Sequence, residues 1–518
     1  MRSVTAGQVS LPALALAFVL LFALTQLPLY AVRYPDIIDL PNHVARMHVL
    51  THWAESASLQ RYYSVDRSLI SPNLAMEVLV PPIAEVLGPD LAVRLFASAA
   101  TLALTSGVVA LAYALSGRLS YLPLGGLIFA NNALLISGFL NFVLGLGLAL
   151  WLLAAWIRCP DPARPRAAGA FAAAATLLYL CHLSAFGVYA LGAVSWQLRR
   201  ARAARQLPAG PGRGVLLPTA MAFAQFLPAA LIHLAVARPT AGANWVDPVL
   251  GAGWTARVVY KLVLPLFVPA SGLPTYPPWQ SLLAVLLCVV LIGALLRETV
   301  RFQAACLWIA IPIALAILLL PPSGFGSNNL DTRLLPVLLL ILWAGLEAAS
   351  ATRRARALTL ALVSAGVVLS SAVTFGEWRQ RDPDYAALRA ALDELPPGAR
   401  VATVAPHPSG GKFFLTPNFA AWGVIDRGFL LSSFYLAPFQ PFWVAFRPEE
   451  IAVARLARLD DLRQRPPDYR DLQSSFDYVV FFGSTVDGAT RPSPQARTVY
   501  ETPFVRIVAT DAAPGAAR

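Results

Sequence analysis

Tyr34-Pro35-Asp36-Ile37-Ile38-Asp39-Leu40-Pro41-Asn42-His43 opens the stretch around which this chain is organised, residues 33 to 90, just after the first apolar segment. The stretch continues through His48, His52 and Trp53 to Tyr62-Tyr63 and Ser71-Pro72-Asn73. It is the densest group of acids, imidazoles and aromatics in a chain otherwise built of lipid-soluble segments. Asp39 stands where a helix should begin, over about 41–58, with Pro41 tolerated in its first turn and Val44, Met47 and Leu50 as a partial apolar stripe. His43, four residues on, then lies one turn above Asp39 on the same face. A carboxylate and an imidazole stacked at a membrane surface suit proton transfer on a lipid-linked substrate.

Working outward, composition sets the surroundings. Of 518 residues, 57% are hydrophobic and 13% charged, and the mean hydropathy is +0.61. Soluble proteins carry about 25% charged residues, and apolar runs of about twenty residues recur here. The class is a polytopic membrane protein. The net charge of +12 comes from arginines clustered in short loops between apolar runs, which reads as topology rather than as a nucleic-acid surface. Cys159, Cys181, Cys288 and Cys306 lie in or beside apolar segments without metal-ligand spacing, so no disulfide framework is expected. Residues 11 to 32 read as a retained first helix, being too long for a signal-peptide core and lacking a cleavage site.

Leu74 to Leu87 is interrupted by Glu77, Pro81-Pro82 and Glu85, and reads as interfacial or re-entrant. The second span is placed at 91–115. Residues 121–157 divide into two short helices at Ser137-Gly138-Phe139-Leu140-Asn141. Residues 167–197 have arginines at both ends, so they must go out and come back, turning near Cys181-His182-Leu183-Ser184. Each arm of about 15 residues covers roughly 22 Å, short of a bilayer of about 30 Å, so the turn should be recessed. Later spans are read at 215–237, 279–296, 302–320, 334–350 and 357–375. That makes eleven, with the N-terminus cytoplasmic and the C-terminus outside, in a membrane of bacterial inner (plasma) type.

From Gly376 the composition becomes that of a soluble domain. A helix is expected at 385–395, and strands at 400–405, at 476–482 and, as a pair, across 498–510. The domains are therefore read as 1–375, a multi-span region with the first external loop at 33–90, and 376–518, an extracytoplasmic α/β domain. Under this topology Asp36, Asp39, His43, Asn73, Asn141, His182, Asp331 and Arg333 all fall near the outer face.

The acidic first external loop opening a helix, the short helix pairs, Asp331-Thr332-Arg333-Leu334-Leu335-Pro336 at the start of a late span, and the external C-terminal domain resemble the GT-C superfamily of integral-membrane glycosyltransferases. That resemblance implies a GT-C-like α-helical bundle and a sugar donor linked to polyprenyl phosphate. The other partners it implies are an extracytoplasmic acceptor and membrane lipid, with no nucleic acid. A divalent cation is left open as cofactor. It implies Asp39 as catalytic base or metal-proximal acid, Asp36 as its neighbour, and Arg333 as a phosphate contact. Many members have adjacent acids, whereas Asp36 and Asp39 stand three apart.

Plainer readings stand beside these. Asp39 and Asn141 would be helix caps, Arg333 a juxtamembrane anchor, and Trp53, Tyr62 and Tyr63 membrane-interface anchors. His43, His48 and His52 share only loose helical spacing, which is weak for a metal site. A transporter or flippase of a lipid-linked saccharide, and a non-catalytic assembly subunit, are the competing functions. No repeated half is visible to favour transport.

Overall fold

Gly138 sets the first break in the bundle. Its φ of +83° is open to glycine at no steric cost, and it ends the short helix Ala133–Ile136. Phe139 N–H returns to the Leu134 carbonyl at 3.0 Å, and Gly138 N–H to that of Leu135, before the next helix starts at Leu140 and runs to Arg158. At the other end Asn132 caps, accepting from Leu134 N–H at 2.8 Å and Leu135 N–H at 3.4 Å. The second expected break falls at His182, between the helices Pro165–Cys181 and Leu183–Arg205. Its Nδ1 accepts from Ser184 N–H at 3.1 Å, so the imidazole serves as the cap.

The computed structural model describes residues 8–205, 213–236, 261, 297–321, 323–324, 327–328, 330–349, 352–404, 417–436, 442–457, 468–482, 492, 496–503 and 505–510. The expected span at 279–296 lies outside them. They fall into two compact units, Met1–Ala31 with Ile70–Met76 and Phe96–Phe375, and Val32–Leu69 with Glu77–Leu95 and Gly376–Arg518.

The first unit is helical. Among the described residues, five helices of the chain are long and apolar enough to cross a membrane: Leu11–Ala31, Pro89–Ser116, Leu140–Arg158, Leu217–Val236 and Arg353–Asp393. Four shorter apolar helical stretches, such as Pro165–Cys181, accompany them. Leu104, Leu146, Leu150, Trp156, Tyr189, Ile309 and Ile341 belong to its buried core. Leu177, Leu234, Leu319 and Leu362 are exposed, as on a surface whose solvent is lipid. Close helix approach is made by small residues: a Cβ on Gly147 would lie 2.3 Å from the Ala103 carbonyl carbon. Arg200 donates to the carbonyls of Ile157 at 2.7 Å and Cys159 at 3.1 Å, satisfying the helix end that closes at Arg158.

The second unit carries a five-stranded mixed sheet, in the order 497–501, 505–509, 478–482, 400–404 and 430–431. The strand at 400–404 runs parallel to both of its neighbours. Tyr478–Phe482 is buried throughout, as its unbroken apolar run demands. Tyr63–Val65 pairs antiparallel with Val444–Phe446, which joins the first loop to the C-terminal region.

Three local expectations are corrected. The helix after Asp39 is Leu40–His52, ending short of residue 58. A 3-10 turn follows, and then a new helix, Ala57–Tyr62, capped by Ser56. The helices expected at 357–375 and 385–395 are one, Arg353–Asp393. A mid-helix glycine costs only about 1 kcal/mol, and Trp378, Tyr385, Leu388 and Leu392 continue a buried stripe at helical spacing beyond Gly376. Finally, Tyr62 and Tyr63 are not membrane anchors but buried, their hydroxyls donating to the Gly398 and Phe429 carbonyls at 2.5 Å each. With each hydroxyl given a carbonyl inside the unit, both rings can leave the interface.

Candidate functional site

The Leu40–His52 helix carries the candidate site, and its own sequence aims it. Val44, Ala45, Met47, Val49 and Leu50 are buried, which fixes the helix's rotation. Asp39 occupies the N-cap position, with φ −92° and ψ 0°, yet its carboxylate makes no cap hydrogen bond. It accepts instead from Asn418 Nδ2 at 2.8 Å. The same nitrogen lies 3.3 Å from the Ile38 carbonyl oxygen. Asp39 is half-buried; Asp36 is buried.

Asp36 lives in a different setting. Tyr385 Oη donates to its Oδ1 at 2.5 Å, and the Arg381 guanidinium pairs with Oδ2. Tyr34 N–H donates to Asp382 at 2.7 Å, tying the loop to the same helix. A small cleft beside this pair is lined by Tyr34, Leu40, Tyr385, Phe419 and Trp422. Tyr385 and Phe419 stack with ring centroids 4.5 Å apart.

His43 is set by its neighbours on the helix. Arg46 Nη2 lies 3.2 Å from His43 Nδ1; a guanidinium can only donate, so Nδ1 accepts and the imidazole proton sits on Nε2. Arg46 is held by a buried ion pair with Glu77 at 2.7 Å, and its guanidinium packs 3.8 Å from the Phe442 ring centre. His48 and His52 stack on each other with centroids 4.4 Å apart. Burial, and then the neighbouring His52, push His48 down to about 4. Among the described residues no three His, Cys, Asp or Glu side chains gather as a metal-ligand set.

The other predicted residues lie in the helical unit. Asn141 Oδ1 accepts from Met76 N–H at 2.9 Å, and its Nδ2 donates to the backbone oxygen and Oδ1 of Asn73, both at 2.8 Å. Asn141 thereby satisfies a backbone N–H in the first turn of the neighbouring helix Ala75–Leu79 and holds the loop at Asn73, while its own helix has no side-chain cap bond. His182 packs on Phe142 with centroids 4.9 Å apart, and Arg333, buried, packs on Phe142 and Phe139. Asp331 is buried, accepts from Thr332 N–H, and pairs with Lys261 at 2.9 Å. Lys261 also donates to the Leu320 carbonyl at 2.6 Å.

Sequence reasoning missed Asn418, Arg381, Tyr385, Arg46 and Lys261. Lys261 carried a usable signal, since a lone lysine inside an apolar run demands a partner. Asn418 carried none.

No protein-family model matches the sequence, and no curated protein does. Solved structures do match. The crystal structure of ArnT from Cupriavidus metallidurans bound to undecaprenyl phosphate is 12% identical, with TM-score 0.51 over 97% of this chain and 98% of that one. The cryo-EM structure of the arabinofuranosyltransferase AftD from Mycobacteria is 18% identical, with TM-score 0.47 over 99% of this chain and 40% of that one. At such identities an end-to-end match to ArnT speaks for architecture alone: the chain shares the fold of that structure, as the GT-C resemblance implied.

Proposed function

We propose that this chain is a membrane glycosyltransferase that moves a sugar from a polyprenyl-phosphate-linked donor onto an extracytoplasmic acceptor. Asp39 is the base in this reading: it takes the acceptor hydroxyl's proton as that oxygen attacks the sugar carbon, and the polyprenyl phosphate leaves. The observation that carries the proposal is the Asp39 carboxylate, which stands at a helix N-cap, does not cap, and is half-buried on the hydrogen bond from Asn418. The fold shared with ArnT, whose structure holds undecaprenyl phosphate, supports a carrier of that type as donor. Asp36, neutralised by Arg381, shapes the turn and is the second acid to test. His43 Nε2–H donates to substrate. In the helical unit taken by itself, Arg333 is the phosphate contact this reading tests, and His182, Asn73, Asn141 and Asp331 are the further polar residues read as substrate-binding. Eleven spans, a cytoplasmic N-terminus and an extracytoplasmic 376–518 belong to the same proposal.

The test is turnover of the purified full-length chain on a panel of undecaprenyl-phosphate monosaccharides. Wild type should release undecaprenyl phosphate from one of them, and Asp39→Asn should not, at normal protein levels. Loss with Asp36→Asn alone would move the base three residues upstream; full activity in both variants would end the glycosyl-transfer mechanism.

A further inference from the structure

We infer that Asn418 is the positioning residue for Asp39: it holds the carboxylate away from the helix that it would otherwise cap. This inference rests on the reading of Asp39 as the base. An aspartate at an N-cap ordinarily turns onto the backbone N–H two or three residues on. Two residues on is Pro41, which has no N–H, so Asn42 is the remaining donor. The carboxylate does not take it, because no side-chain cap bond is made.

Asn418 explains the difference. Its amide faces Asp39 Oδ1 at 2.8 Å and the Ile38 carbonyl oxygen at 3.3 Å. Both are acceptors, so the NH2 group must point at them; the flipped amide would set oxygen against oxygen. One side chain therefore grips the backbone of the turn and the carboxylate together. Asn418 is 3% exposed and sits in the 3-10 turn Pro417–Ala421, followed by the buried Phe419, Ala420 and Ala421, so the amide has little room to swing. A bond from an amide to a charged carboxylate is also stronger than the neutral pairings available elsewhere. Its own Oδ1 finds no partner among the described residues.

The experiment uses the full chain and the undecaprenyl-phosphate monosaccharide that the wild type turns over. Asn418→Ala should lower kcat about 10- to 100-fold, because a base displaced by about an ångström loses its geometry. KM should stay within about twofold, since the substrate contacts remain. Asn418→Ser, whose hydroxyl can donate to the same carboxylate, should recover part of the loss, and it also guards against a poorly folding alanine variant. A cryo-EM structure of Asn418→Ala or Asn418→Ser supplies the second readout, independent of turnover. In the alanine variant Asp39 should accept from Asn42 N–H, whereas in the serine variant it should stay on residue 418. Wild-type kcat in Asn418→Ala, or an Asp39 side chain that keeps its place there, would overturn the assignment. Should Asp39→Asn keep full turnover, the base reading falls, and the structural readout still decides whether Asn418 sets the carboxylate's position.

Discussion

The helical unit and the loop-bearing unit both pair their buried polar side chains, and Asp39 of the loop-bearing unit is where the comparison turns. In the helical unit they close the structure. Arg200 satisfies a helix end, Asn141 ties down a loop, and Lys261 neutralises Asp331. Lipid offers no hydrogen bonds, so these groups find their partners within the protein. In the loop-bearing unit two acids three residues apart part company. Asp36 is locked by Arg381 and Tyr385, while Asp39 occupies a cap position without capping. The lesson is that position in the chain does not say how an acid is held; its partners do.

The sharpest way to break this contrast is to exchange the outcomes. Asp39→Asn should cost turnover about 10²- to 10⁴-fold and leave thermal stability close to wild type, since the lost carboxylate was not capping. Lys261→Met should do the reverse, leaving Asp331 as an unpaired buried charge. It should lower unfolding stability by about 3–5 kcal/mol, read as reduced accumulation and an earlier melt in detergent. If Lys261→Met melts like wild type, the helical unit's polar groups are not the closures described.

A smaller effect sharpens the picture through pH. His48 is pushed down to about 4, by burial first and then by His52. Its folded value lies below the unfolded one of about 6.5, so the unfolded chain binds the proton more readily between them. The stability His48 contributes is whole above about pH 6.5 and drains as pH falls toward 4, by up to about 3 kcal/mol. Melting temperature measured from pH 7 to 4.5 should fall, and His48→Gln should flatten that part of the slope. An identical slope in the variant would place the titration elsewhere. The smallest effect is Ser56→Ala. Ser56 accepts from Leu59 N–H at 3.3 Å and caps the short helix Ala57–Tyr62. Its loss should cost about 1 kcal/mol with no change in KM, unlike any change at Asp39.

What the residues determined by themselves was whatever depends on neighbours along the chain. Run length against bilayer thickness marks the apolar helices; Gly138 and His182 mark the breaks; unbroken apolar runs mark the buried strand at 478–482. These are local effects of steric allowance and solvent, and they need no partner. Helix continuity past Gly376 was harder, because composition changes there while the buried stripe of Trp378, Tyr385 and Leu388 does not. The burial of Tyr62 and Tyr63 was hidden, since each hydroxyl is satisfied by a carbonyl more than 300 residues away. The partners of the two acids were decided by tertiary structure alone. Asp36 meets Arg381 and Asp39 meets Asn418 across 345 and 379 residues. A carboxylate's chemistry is set by the charges and donors within a few ångströms, and no spacing in the sequence announces which ones the fold will bring.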